Sequence, residues 1–211
     1  MDYLYLHGFA SSPQSTKAQY LRDRARSCQV ELPILDLNQG NFSQLTLTRQ
    51  LQQVAAALPP APTPVTLIGS SFGGLTAAWA AEQYGQIQRL VLLAPAFRFL
   101  NHWLPRLGPE QLSRWQRDGF LPIYHYGAGR ELPLHYKFIT DARQYTDEQL
   151  QRSLPTLILH GREDEVIPIE ASHDYAAQRP WVKLVELDSD HALGNVLPEI
   201  WAAICDFCKF A

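Results

Sequence analysis

Six short apolar runs recur along the chain, at 3–7 (YLYLH), 30–37 (VELPILDL), 64–69 (PVTLIG), 88–94 (QRLVLLA), 155–160 (PTLILH) and 182–187 (VKLVEL). Most are near-continuous leucine or β-branched stretches rather than alternating ones, a pattern that predicts strands covered on both faces. Longer amphipathic stretches lie between them and predict helices near 15–27, 42–58, 72–84, 170–178 and 194–208. Asn41-Phe42-Ser43 offers a cap for the second helix, and Pro59-Pro60 ends it. This alternation predicts an α/β fold with a doubly wound, mainly parallel six-stranded sheet and right-handed crossovers. Neither an internal repeat nor a low-complexity tract interrupts it.

One interval breaks the rhythm. Residues 95–153 separate two predicted strands by about sixty positions, well beyond the length of a crossover helix. That interval holds Phe97, Phe99, Trp103, Trp115, Phe120, Tyr124, Tyr126, Tyr136, Phe138 and Tyr145, which are 10 of the 23 aromatic residues. Its eight Lys/Arg and six Asp/Glu give +2, which leaves −5 for the rest of the chain. Two readings fit. Either the interval is a surface crossover with a small core of its own, or it is a lid whose aromatics face a ligand. The lid reading is preferred, with Phe97, Trp103, Trp115 and Phe120 as candidate substrate contacts.

Composition narrows the class. At 211 residues and 23.9 kDa, with 46% apolar and 18% charged residues, the chain suits one globular domain spanning 1–211. A net charge of −3 and a pI near 6.1 argue against a nucleic-acid partner. No 18-residue uncharged apolar stretch occurs, so no membrane span is expected. The N-terminal residues read as a strand rather than a signal peptide, and Cys28, Cys205 and Cys208 are too few for a disulfide framework. A cytoplasmic location is therefore expected. Cys205 and Cys208 share one face of the last helix, where apolar packing is preferred to redox or metal chemistry. No metal or cofactor is expected, and the oligomeric state is left open.

The sharpest local signal is Thr66-Leu67-Ile68-Gly69-Ser70-Ser71-Phe72-Gly73-Gly74. It reads strand, tight turn, helix, with a Gly-x-Ser-x-Gly pattern at the turn. Such a turn lifts a hydroxyl above the sheet edge, and the glycines let neighbouring backbone pass without Cβ clashes. Ser71 lies midway between Gly69 and Gly73 and is the candidate nucleophile, while Ser70 packs or hydrogen-bonds nearby. A serine needs a base oriented by a carboxylate. His191, in Asp188-Ser189-Asp190-His191 after the last strand, is the best placed of the seven histidines. His160 suits a turn beside Gly161, His173 falls mid-helix, and His102, His125 and His135 lie in the insertion. For the carboxylate, His160-Gly161-Arg162-Glu163-Asp164-Glu165 follows a strand, and Asp164 is preferred over Glu163 and Glu165, which face solvent. Asp141, Asp188 and Asp190 are fallbacks, the last two better suited to shaping the histidine loop.

Acyl transfer also needs donors for an oxyanion. The backbone N–H groups of Phe9, after His7-Gly8, and of Phe72, after Ser71, are the candidates. His7-Gly8-Phe9, Ser71, Asp164 and His191 each follow the C-terminal end of a different predicted strand. In a parallel sheet those ends share one edge, where open α/β folds carry their sites.

With these motifs the chain resembles the α/β-hydrolases, and LYLHGFASSP, GSSFGG, HGREDEVIP and the final SDH resemble the small bacterial esterases of the YqiA type. The resemblance implies a minimal α/β-hydrolase fold with a helical lid insertion at 95–153. It implies Ser71, Asp164 and His191 as the catalytic triad and the Phe9 and Phe72 amides as the oxyanion hole. The activity expected is hydrolysis of carboxylic esters through an acyl-enzyme, on a small-molecule ester or thioester substrate. An acyl-thioesterase of the depalmitoylating type is the close alternative, and a non-catalytic ligand-binding protein of the same fold is the remote one.

Overall fold

The computed structural model describes residues 1–210. In chain order its elements are β1 (Asp2–Leu6), α1 (Thr16–Ser27), β2 (Ile34–Leu35), α2 (Leu47–Ala57), β3 (Val65–Ser70), α3 (Phe72–Gln83), β4 (Ile87–Leu93) and α4 (Phe99–Asp118). They continue as β5 (Phe120–His125), β6 (Arg130–His135), α5 (Lys137–Ala142), β7 (Thr156–Gly161), α6 (Glu170–Ala177), β8 (Val182–Leu187) and α7 (Leu197–Cys208). Six strands form one parallel sheet in the order β2-β1-β3-β4-β7-β8.

Successive strand residues feed opposite cores, as the period of two requires. Leu67, Leu90, Leu92 and Ile158 point into one core with α2, α3 and the insertion. Ile68, Val91, Leu93, Leu157 and Leu159 point into the other with α1 and α7. Both faces are covered, hence the unbroken apolar runs. Helix α3 lies under α2 and the insertion and is buried from Phe72 through Ala81, so it carries no polar stripe. Cys208 is buried in the α7 core, which pushes its thiol up to about 11, and Cys28 and Cys205 are half-buried free thiols.

Three boundaries differ from the sequence pattern. The second strand, expected over 30–37, pairs only through Ile34 and Leu35. Pro33 has no N–H to give the ladder, and the Leu37 amide donates to His7 Nε2 (3.1 Å) instead. The helix expected over 42–58 is a 3-10 turn, Phe42–Gln44, then an extended Leu45 and Thr46, then α2. Thr46 rather than Asn41 caps α2, its Oγ1 accepting from the Arg49 amide at 3.0 Å. The last helix likewise starts with a 3-10 turn at Gly194–Val196 before α7.

The insertion is not helical throughout. Helix α4 is kinked at Gly108, whose φ of 72° breaks the helix between Pro105 and Pro109. An antiparallel hairpin, β5 with β6, and the short α5 follow. Trp115 Nε1 donates to the Leu134 carbonyl (2.8 Å), tying α4 to the hairpin. The Thr48 amide at the start of α2 donates to Asp141 Oδ2 (3.0 Å), which fastens the far end of the insertion to the main domain. No helix among the described residues is long and apolar enough to cross a membrane.

Candidate active site

Strands β1 and β3 are neighbours, yet α1 after β1 packs on one face of the sheet and α3 after β3 on the other. The two chains therefore part at the C-terminal edge and open a crevice there. The loop after β1 and the turn after β3 form its walls.

Ser71 sits on that turn with φ 53° and ψ −119°. A non-glycine residue in this region costs about 1–3 kcal/mol and persists only where its surroundings fix it. Here the Ser71 amide donates to the Leu93 carbonyl (2.8 Å), and its own carbonyl accepts from the amides of Gly74, Leu75 and Ala96. A Cβ on Gly69 would collide with the Gly73 carbonyl, and one on Gly73 with the carbonyls of Leu6 and His7. Both glycines are thus steric requirements of the turn. A Cβ on Gly8 would lie 3.3 Å from Ser71 Cβ, so the loop after β1 passes directly beside the serine.

His191 stands on the loop between β8 and α7. Asp190 Oδ1 shapes that loop by accepting from the amides of Ala192 (2.9 Å) and Leu193 (3.2 Å). His191 Nε2 lies 3.0 Å from Ser71 Oγ, and Nδ1 lies 2.7 Å from Asp164 Oδ2. An ionised carboxylate only accepts, so Nδ1 carries the proton and Nε2 is left to accept from the hydroxyl. The Asp164 side chain is fully buried, while that of His191 is 22% exposed. Asp164 Oδ1 accepts from the Val166 and Ile167 amides, both at 2.8 Å. Burial alone would raise its pKa. The donors from His160, His191 and Ile167, with the nearby His191 charge, outweigh burial and hold it well below the usual carboxylate range.

The structure thus brings Ser71, Asp164 and His191 into one hydrogen-bonded chain, with Glu163 and Glu165 in solvent. The fallback carboxylates lie elsewhere: Asp141 caps α2, Asp190 folds the histidine loop, and Asp188 is exposed. The Phe9 and Phe72 amides flank Ser71, and neither donates to an acceptor among the described residues. His7 is a buried strut. Its Nδ1 donates to the Gly8 carbonyl (2.9 Å), its Nε2 accepts from Leu37, and burial lowers its pKa.

The insertion aromatics do something other than expected. Phe97 is fully buried and stacked on Tyr175, ring centres 4.0 Å apart. Trp115 is also buried, edge-on to Tyr136 and Trp103. Phe120, 46% exposed, packs on His135 at the outer surface. Phe97 and Trp115 thus pack as core, their rings closed off by other aromatics, whereas Phe120 faces outward. Of the four, Trp103 alone packs on Phe9, the residue after Gly8. It is half-buried, 5.5 Å from the Phe9 ring, which also meets Phe42, Phe72, Phe99 and Phe138. The insertion closes on the main domain through this cluster, through Arg106 donating to the Glu165 carbonyl, and through an Arg98–Asp174 ion pair (2.6 Å).

Two neighbours escaped the sequence reading. His160, expected in a turn role, contacts the buried acid: its Nε2 lies 3.0 Å from Asp164 Oδ2. Its place four residues before Asp164 was the available signal. Lys17, from the first turns of α1, donates to Ser70 Oγ (3.1 Å). Burial lowers its pKa to about 8 against the opposing pull of Asp164 and Asp190. Nothing local in the sequence of α1 marks it.

A parallel sheet in this strand order, with a serine turn, a buried acid and a loop histidine at its C-terminal edge, is the α/β-hydrolase fold. Solved structures of that fold align along nearly the whole chain. Alpha/beta hydrolase domain-containing protein 10 from mouse matches at 22% identity and a TM-score of 0.82, covering 99% of this chain and 89% of that one. Est1E from Butyrivibrio proteoclasticus with bound ferulic acid matches at 22% identity and 0.80, covering 98% and 87%. MGS-MChE2, an alpha/beta hydrolase from the metagenome of lagoon sediments at Mar Chica, Morocco, matches at 18% and 0.72, covering 99% and 90%. No curated protein matches in sequence. Residues 2–209 match the Uncharacterised protein family (UPF0227), and the chain belongs to that family.

Proposed function

We propose that the protein is a serine hydrolase that cleaves carboxylic esters of small or medium acyl or aryl groups through an acyl-enzyme on Ser71. The observation that carries this reading is the unbroken chain from Ser71 Oγ through His191 to Asp164, at 3.0 and 2.7 Å, beside two unengaged amides. His191, protonated on Nδ1, takes the Ser71 proton on Nε2 as the hydroxyl oxygen attacks the ester carbonyl. The Phe9 and Phe72 N–H groups receive the oxyanion, each worth about 3 kcal/mol in the transition state. Buried Asp164 stabilises the imidazolium without taking its proton. His191 then gives that proton to the departing alcohol. Water, deprotonated by the same imidazole, releases the acid and restores Ser71.

The Phe9 cluster with Trp103 at its border forms an apolar wall beside the Phe9 amide, which favours a small acyl or aryl group over a long chain. The ferulate bound to Est1E, a protein of the same fold, agrees with an aryl substrate.

A fluorophosphonate probe tests the chemistry. The expected result is a stoichiometric adduct on the Ser71 peptide, absent from Ser71→Ala. An unlabelled wild type, or labelling that survives the substitution, overturns the proposal. A p-nitrophenyl ester series from C2 to C16, run against the matching acyl-CoA thioesters, then fixes the substrate class. An optimum at the short esters supports it, and an optimum among long acyl-thioesters replaces it with a thioesterase.

A further inference from the structure

Asp164 is held from four sides, and one of the two side chains among its donors has no part in the proton path above. Oδ1 accepts two amides of its own loop, whereas Oδ2 accepts two imidazoles, His191 at 2.7 Å and His160 at 3.0 Å. His160 is at the end of β7, fully buried, and its other nitrogen reaches Ser172 Oγ on α6 at 2.7 Å.

The tautomer of His160 follows from its neighbours. The Ile167 carbonyl can only accept and lies 3.0 Å from Nε2, so Nε2 carries a hydrogen. That hydrogen is shared between the Ile167 carbonyl and Asp164 Oδ2, and in the neutral ring Nδ1 accepts from the Ser172 hydroxyl. A carboxylate held only by His191 and its own loop amides could tilt about its χ2 bond, a broad and nearly two-fold torsion. The His160 donor removes that freedom. It also takes up part of the lone-pair density on the same oxygen that faces His191.

We infer that His160, fixed in turn by Ser172, is a positioning residue that sets the plane of the Asp164 carboxylate and the share of its charge presented to His191. This inference rests on the proposed roles of Ser71, Asp164 and His191. Helix α6 thereby becomes a support of the site: Ser172 holds the ring that holds the acid, while Asp174 on the same helix pairs with Arg98 at the root of the insertion.

Three variants separate positioning from mere packing: His160→Leu, His160→Gln and Ser172→Ala. Leucine fills space without donating, whereas glutamine can direct an amide N–H from near the Nε2 position. His160→Leu is expected to lower kcat about tenfold to a hundredfold with KM changed less than about twofold. The acid limb of its kcat/KM profile moves to higher pH, because an unshared Oδ2 holds protonated His191 more tightly. His160→Gln recovers most of both effects, and Ser172→Ala shifts both partway. Proton NMR of the resting protein gives a second readout that needs no turnover. The low-field His191 Nδ1 proton, assigned by its loss in His191→Gln, is sharp in wild type and His160→Gln and broadened in His160→Leu.

A lower Tm in His160→Leu with unchanged pH profile and unchanged low-field signal overturns the inference. Failure of glutamine to rescue overturns it too. Should His160→Leu not fold, Ser172→Ala decides by the same two readouts. A wild type without hydrolytic activity removes the proposed function, while the NMR comparison still decides whether His160 holds the acid.

Discussion

Ser71, the nucleophile of the proposed mechanism, is the residue on which backbone strain and that chemistry meet. Its positive φ is held by four main-chain hydrogen bonds, so the hydroxyl is aimed before any substrate arrives. Substituting it removes the nucleophile without disturbing those bonds. Ser71→Ala is accordingly expected to lower kcat by a factor of about 10⁶ while urea unfolding stays within about 1 kcal/mol of wild type. Steady-state kinetics and a denaturation curve on one preparation check both halves. Lys17 gives a prediction in pH. Its folded pKa of about 8 lies below its ordinary value, so between roughly pH 8 and 10.4 the unfolded chain binds more protons than the folded one. Stability from this group therefore rises with pH through that window. Lys17→Met is expected to raise Tm near pH 7 and to lose that advantage by pH 10. A Tm difference that does not change with pH contradicts the burial of this charge. The residue scale is also where the sequence was most readable. Gly69, Ser71 and Gly73 lie within five positions and form a recognisable pattern, although the demand on Gly73 comes from the Leu6 and His7 carbonyls of the neighbouring strand. The role of His160 was less readable: Asp164 is only four positions away, but Ser172 meets the ring only when α6 packs beside the end of β7.

At the scale of elements, start and stop signals decided some boundaries and tertiary contacts decided others. Pro59-Pro60 ends α2 as expected, since proline lacks the N–H and its ring clashes with the preceding turn. The start of α2 was not legible. Asn41 and Thr46 are both capping residue types, and the choice falls to Thr46, where Asp141 from the insertion receives the Thr48 amide across 93 residues. Thr46→Ala is expected to destabilise the protein by about 1 kcal/mol in urea unfolding, and no loss would show that Asp141 alone holds the helix start. A second element test lies at the root of the insertion. Asp147 accepts from the Arg98 amide (2.8 Å), yet burial raises its pKa to about 6. Between its ordinary pKa near 4 and about 6, the folded state binds more protons, so stability falls as pH rises through that window. Asp147→Asn keeps an acceptor for Arg98 and is expected to gain Tm over wild type above pH 6 and to match it near pH 4.

For the whole molecule, the insertion behaves as part of the core. Phe138 is fully buried on α5 and touches Phe9, Phe72, Phe99 and Trp103, so it joins the insertion to both loops that carry oxyanion donors in the proposed mechanism. Phe138→Ala is expected to cost about 3–5 kcal/mol. Hydrogen exchange should accelerate across 99–145 while the amides of β3 and β4 stay protected. Uniform acceleration would mean that the insertion and the sheet open as one unit. By itself the sequence determined the strand and helix alternation, the parallel sheet and the chemistry-bearing motifs at strand ends. Those follow from hydrophobic period, from proline and glycine, and from residue types whose requirements are met within a few positions. Only the tertiary structure decided which acid faces His191, what holds that acid, and where the insertion aromatics point. Composition records how many rings 95–153 contains, but whether a ring meets a ligand or another ring depends on chain segments far away in sequence. The packing assigned Phe97 and Trp115 to the core, turned Phe120 outward, and left Trp103 against Phe9 in the loop after β1.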